Sequence, residues 1–256
     1  MLSFTLIVSI EAYTMRTSIN KWTIYSLGDH AIVFALTPQI DPAILHKITA
    51  LHQFIESKKI KGVLDLIPSY NSLTLVFDIS HFLQNKDNST EYMKNFGEAL
   101  IISFEKEKTE IQQLANEIIK VPVCYDPIFA LDLNTLSEEK QISIESIINI
   151  HCAPIYQVYS IGFLPGFTYM GTVDPQIQTP RHAQPRKAVP AGSVGIAGPQ
   201  TGIYPSESPG GWKIIGKTPW VIFDPAPTQL SRFKVGDQIQ FYPITQIEFD
   251  KINEYK

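Results

Sequence analysis

The chain has only two cysteines in 256 residues, Cys124 and Cys152. Two thiols cannot build a disulfide framework, and their separation matches no metal-ligand spacing. That usage fits a reducing compartment, so a cytoplasmic protein is expected. The six histidines are scattered, without HExxH or another pairing at ligand spacing, so no metal site is expected. No apolar run approaches the roughly 20 residues that span a bilayer. The opening MLSFTLIVSI is short, with no basic residue before it and no A-x-A pattern after it. Residues 1–19 are therefore left out of the fold, with Met15 as the alternative start to Met1. An excess of positive charge is missing too. Lys and Arg number 21 against 25 Asp and Glu, a net charge of −4, which argues against nucleic acid or an anionic membrane as the main partner.

What the chain has instead is concentrated between His151 and Trp220. That stretch holds 10 of the 14 glycines and 10 of the 18 prolines. Gly and Pro at such density usually mark disorder, because too little apolar surface offsets the entropy of ordering. Here they are interleaved with Phe163, Phe167, Tyr169, Met170, Val194, Ile196, Ile203, Tyr204, Trp212, Ile214 and Ile215. The combination predicts a folded β domain with sharp turns and close backbone approaches. Its charge also differs from the rest. Arg181, Arg186, Lys187, Lys213 and Lys217 stand against Asp174 and Glu207, a balance of +3 that leaves −7 elsewhere. A mildly basic patch suits a small anion or an acidic protein surface.

Residues 20–125 read as an α+β unit. Strand patterns at Trp22–Leu27 and Ala31–Leu36 flank Gly28-Asp29, and a second pair, 62–67 and 73–77, flanks Ser69-Tyr70-Asn71-Ser72. Between them Asp41-Pro42 opens a helix, with Asp as N-cap and Pro at its first position. An amphipathic stretch runs from about 90 to 119, and 120–124 returns as a strand. Strand, helix, hairpin, helix, strand is the ferredoxin-like order. Residues 126–151 read as a helical linker, and 152–245 as an antiparallel β-barrel or sandwich.

Several patterns bear on chemistry. Gly211 to Thr218 literally satisfies GxxxxGK[ST], but Trp212, Ile214 and Ile215 belong on a strand, Pro219 follows at once, and no helix completes a phosphate site. Neither Ser193 nor Ser208 sits in a GxSxG elbow, and paired carboxylates are absent from 151–220, so no self-sufficient hydrolase is expected there. Arg181 and Arg186 share one proline-braced loop and either clamp an anion or pair internally. Gln200, Thr201 and Gly202 form either a polar ligand-facing tip or a plain turn. Phe163, Phe167, Tyr204 and Trp212 either line a groove or fill a core. His151 is either a general acid/base or a helix C-terminal cap. Gly195 and Gly198 are expected to serve turns with positive φ.

The run His151 to Gly171, HCAPIYQVYSIGFLPGFTYMG, resembles the signature of the KipI/PxpB family, also called allophanate hydrolase subunit 1. The likeness continues through TPR at 179–181, PR at 185–186, VPAGSVGIAG at 189–198, QTGIYP at 200–205 and SPGGW at 208–212. Asp126-Pro127 departs from the Gly-Gly common after the family's Cys-Tyr, and Lys217 stands where Arg is common. The resemblance implies a ferredoxin-like N-terminal domain and a cyclophilin-like β-barrel. It also implies a subunit of a bacterial ATP-dependent 5-oxoprolinase, inactive without partners of the PxpC/KipA type and of the LamB/YcsF type called PxpA. ATP is then a requirement of the complex. The alternatives it carries are an inhibitor of a sensor histidine kinase and the first subunit of an allophanate or urea amidolyase system.

Overall fold

Strands whose alternate residues are apolar need a cover on one face, and helices supply it in the first part of the chain. The computed structural model describes residues 16–80, 89–107, 117–226 and 230–254, so the choice between Met1 and Met15 falls outside it. Two compact units result, Met1–Gln113 and Leu114–Lys256.

The first unit contains β1 (Arg16–Ile19), β2 (Trp22–Ser26), β3 (Ala31–Ala35), α1 (Pro42–Ser57), β4 (Val63–Ser69), β5 (Ser72–Phe77) and α2 (Ser89–Glu107). The sheet order is β1-β2-β3-β5-β4, with every neighbouring pair antiparallel. Trp22, Ile24, Ile32, Phe34, Leu73, Leu75 and Phe77 pack against Ile48, Leu51 and Phe54 of α1 and Phe104 of α2. The Asp41 carboxylate accepts the Ala43 N–H at 2.7 Å, and Pro42 opens α1 as expected.

The segment β3-α1-β4, with β5 inserted between the two strands, is a split βαβ unit. The fourth strand of the expected ferredoxin-like order is not in this sheet. β2 occupies the place beside β3, and β6 (Ile118–Cys124) belongs to the second unit. Val121 and Val123 are fully buried there, and β6 runs parallel to β14 (Gln238–Ile244) from Ile118↔Gln238 to Cys124↔Ile244. The first unit thus ends before residue 114, not at 125.

After β6 come α3 (Leu133–Lys140) and α4 (Ile144–Cys152), then β7 (Tyr156–Ile161), β8 (Thr168–Gly171), β9 (Arg186–Val189), β10 (Ser193–Ala197), β11 (Gln200–Ile203), β12 (Ser208–Gly210) and β13 (Lys213–Lys217). β14 and α5 (Gln246–Glu254) complete the unit. Seven strands close a barrel in the order β10-β11-β8-β7-β14-β6-β13, while β9 and β12 form a separate ribbon. Leu133, Leu136 and Ile147 join the barrel core, so 126–151 is part of the domain rather than a linker. Residues of the GxxxxGK[ST] pattern form β13, a wall strand. They do not fit a nucleotide phosphate, because the backbone N–H groups of a wall strand are not gathered at a helix N-terminus.

The seam between β13 and β6 is held by one registered pair, Lys217↔Cys124. A Cβ on Gly216 would lie 2.7 Å from Val123 Cγ1 and 2.9 Å from the Cys124 carbonyl oxygen. Gly216→Ala is therefore expected to destabilise the protein by about 1–3 kcal/mol. Chemical denaturation measures this, and an unchanged midpoint would mean the seam is not so tightly closed.

Candidate functional site

Side chains alternate across the barrel wall, so β10 and β11 each present one face inward and one outward. On the outside, Gly195 stands opposite Gly202. A Cβ on Gly202 would lie 3.1 Å from Trp212 Cζ3 and 3.2 Å from Phe167 Cζ, and one on Gly195 3.1 Å from Trp212 Cβ. The two glycines are a floor on which large rings rest. Gly195 is thus a strand residue and not a positive-φ turn residue, whereas Gly198 has φ +56° in the short connection to β11.

Above that floor, Phe167 lies 5.4 Å from Trp212, 5.0 Å from Tyr204 and 4.7 Å from Tyr169, centroid to centroid. Phe167, Tyr204 and Trp212 are buried, so they form the body of the cluster rather than the lining of an open groove. Two side chains project from its ends. Phe163 is 66% exposed and meets Phe167 edge-on at 5.6 Å. The exposed Arg181 holds its guanidinium carbon 5.8 Å from the centre of the Trp212 ring. Among the described residues Arg181 pairs with no carboxylate. Burial pushes the Tyr169 and Tyr204 phenols up, and the Arg181 charge opposes that at both.

Arg186 goes elsewhere. Its two terminal nitrogens donate to the Asp132 oxygens at 2.7 and 2.9 Å. Asp132 is buried and also accepts the Ile214 N–H at 2.6 Å, while His182 Nε2 lies 2.9 Å from the same carboxylate. Arg186 Nη1 is also 2.9 Å from this Nε2, so His182 either donates to Asp132 or accepts from Arg186, according to its tautomer. Arg186 is therefore an internal ion-pair partner, which corrects the expectation of two clamping arginines. Sequence reasoning misses Asp132 and His182. Asp132 stands where a helix N-cap would, yet its side chain makes no capping bond; only the folded chain shows where it points.

Gln200, Thr201 and Gly202 are strand residues of β11, not a polar tip. Thr201 faces the barrel interior and meets His151, which is fully buried at the end of α4. The Thr201 hydroxyl donates to the Gly195 carbonyl at 3.1 Å, and a hydroxyl has one proton. Towards His151, 3.0 Å away, Thr201 must therefore accept, which puts the imidazole proton on Nε2. Nδ1 then accepts from the Tyr125 hydroxyl at 2.8 Å, and the Cys152 thiol, 3.3 Å from that oxygen, donates to it. The chain runs in one direction, from Cys152 to the Gly195 carbonyl. The imidazole stacks on Phe241 at 4.7 Å, and burial lowers its pKa to about 3. With both nitrogens engaged, His151 is a neutral strut joining α4 to the barrel. It is neither a helix cap nor a free base.

Residues 22–233 match a family described as carboxyltransferase domain, subdomain C and D, and the chain belongs to that family. The B subunit of 5-oxoprolinase from Bacillus subtilis (strain 168) is 34% identical over 91% of this chain and 98% of its own length. The solved structure of TTHA0988 matches with a TM-score of 0.70 at 28% identity, covering 84% of this chain; the chain spans 40% of that structure's length. Urea amidolyase of Saccharomyces cerevisiae (strain ATCC 204508 / S288c) is 22% identical over 93% of this chain, which covers 14% of that protein. The family expected from the motifs of 151–216 is the family found.

Two outcomes follow from this geometry. Arg186→Ala leaves the buried Asp132 charge uncompensated and should cost about 3–5 kcal/mol, whereas Arg181→Ala should cost less than about 1 kcal/mol. Urea unfolding of both variants checks this, and a reversed order would overturn the assignment. His151 titrates near 6.5 when unfolded and about 3 when folded, so between those values only the unfolded state takes up its proton. Stability should fall as pH drops below 6.5, by up to about 1.4 kcal/mol per pH unit from this group. The slope should be correspondingly shallower in His151→Gln; equal slopes in both proteins would remove the argument.

Proposed function

We propose that this chain is the PxpB-type subunit of a 5-oxoprolinase complex, a cyclic-amide hydrolase that opens 5-oxo-L-proline to L-glutamate while ATP becomes ADP and phosphate. One observation carries the reading: the match to the B subunit of a 5-oxoprolinase covers 98% of that protein at 34% identity. The cyclophilin-like character of the barrel belongs to the same reading.

The chemistry suits a shared site. A lactam is resonance-stabilised, and phosphate on its carbonyl oxygen supplies a leaving group when water adds. Cationic groups and N–H donors stabilise such species, and no serine nucleophile is needed. Arg181 stays exposed beside Trp212, and the cations and donors of such a site are shared with the partner subunits. Arg186 is neutralised by Asp132, and His151 has no free nitrogen. Proton transfer is therefore assigned to the partner subunits, of the PxpC/KipA type and the PxpA (LamB/YcsF) type. ATP enters as a substrate of the complex, and no residue of this chain is assigned to it.

The match to urea amidolyase over 93% of this chain supports a second reading, the carboxyltransferase portion of a urea amidolyase system. Reconstitution separates the two. Mixed with both partner subunits, this protein should form glutamate and ADP from 5-oxoproline and ATP, with no turnover when it is omitted. Arg181→Ala should lower that turnover at least tenfold. Turnover without this chain, or none with all three present, would overturn the proposal.

A further inference from the structure

Phe163 and Arg181 share a property unusual for solvent-facing side chains: each is held out by a loop that is itself pinned. In the Phe163 loop, Gly162 N–H donates to the Phe167 carbonyl at 3.1 Å, and Phe167 N–H to the Leu164 carbonyl at 2.9 Å. Gly166, at φ +83°, lies so close to Phe223 that a Cβ would sit 2.7 Å from Phe223 Cβ. The loop thus has little freedom. Phe163 itself adopts φ +69°, a conformation that costs a bulky residue energy and that glycine would adopt freely.

The Arg181 loop is fixed on both sides. Gly198 N–H donates to the Thr179 carbonyl at 2.7 Å and His182 N–H to the Gly211 carbonyl at 2.7 Å, while His182 Nε2 lies 2.9 Å from both Asp132 and Arg186. The two projecting side chains are the ends of one row of rings, Phe163–Phe167–Trp212–Arg181. A strained, two-thirds exposed phenylalanine on a rigid loop, beside a held cation with no carboxylate partner among the described residues, has the composition of an interface anchor.

Charge indicates the occupant. Of the basic residues in 151–220, Arg186 is bound to Asp132 and Lys213 to Glu139. Arg181 and Lys187 remain exposed, and Lys217 lies over the Phe129 ring. The stretch 151–220 that carries the pair has a balance of +3, with Asp174 and Glu207 as its acidic residues, while the chain as a whole carries −4. We propose that Phe163 and Arg181 anchor a second protein whose surface offers an apolar pocket for the phenyl ring and a carboxylate for the guanidinium. The inference rests on the proposed function for the identity of that protein, the companion PxpC/KipA-type subunit.

The test is affinity between the full chain and the purified companion subunit, measured by calorimetry beside the melting temperature of each variant. Phe163→Gly removes the anchor and relieves the left-handed backbone, so binding should weaken about thirtyfold or more while the melting temperature does not fall. Arg181→Glu should weaken binding as strongly, and restoring the positive charge with Arg181→Lys should recover part of it. Unchanged affinity in both Phe163→Gly and Arg181→Glu would overturn the surface and leave the proposed function standing. Loss of turnover with affinity intact would assign the pair to a small-molecule site and overturn docking. Failure of the unaltered chain to bind its companion would overturn both readings together.

Discussion

The Asp132 carboxylate is the constraint on which the candidate face depends. A buried carboxylate is costly unless its oxygens are filled by donors, and here Arg186 and the Ile214 N–H fill them, with His182 Nε2 packed 2.9 Å from both the carboxylate and Arg186. These groups come from β9, the loop before it and β13, so satisfying one charge fixes three segments around the start of α3. The loop that carries Arg181 is thereby held in place by a group that Arg181 does not touch. The division of labour between the two arginines follows: one is consumed in building the loop, and the other is presented by it.

The second constraint is the alternation of β10 and β11. Inward, Val194, Ile196 and Ile203 fill the barrel, and Thr201 completes the hydrogen-bonded chain through His151. Outward, Gly195, Ala197 and Gly202 leave room for Phe167, Tyr204 and Trp212. One pair of strands therefore supports the interior strut and the exterior aromatic cluster at once. Small residues on one side and β-branched ones on the other let the wall be thin without being loose. His151 contributes by staying neutral, since two neutral partners satisfy both ring nitrogens without introducing a charge into the core.

Local features were legible in the sequence because neighbouring residues determine them. Asp41-Pro42 opens α1 through a cap two residues away, and the turns at Gly28-Asp29 and Tyr70-Asn71 join strands adjacent in the chain. The strand pattern of 120–124 was legible too, but not its partner, because alternation says which residues are apolar and not which sheet receives them. That is why β6 was expected in the first unit and is found in the barrel. The aromatic residues were expected either to line a groove or to fill a core, and burial of Phe167, Tyr204 and Trp212 selects the core while Phe163 stays exposed. Asp132 and His182 carried no signal, since an aspartate before a helix and a histidine in a loop are ordinary.

The sequence by itself determined the family, the β character of 151–220, and the concentration of arginines and large rings within it. Motif order, glycine placement and turn chemistry are local, so they survive being read one residue after another. Only the tertiary structure decided which arginine is free, which way Thr201 points, and whether His151 has a nitrogen to spare. Each of those answers depends on a partner about 26 to 54 residues away, brought into hydrogen-bond range by barrel closure. A side chain's chemistry is set by what satisfies it, and that neighbour is chosen by the fold.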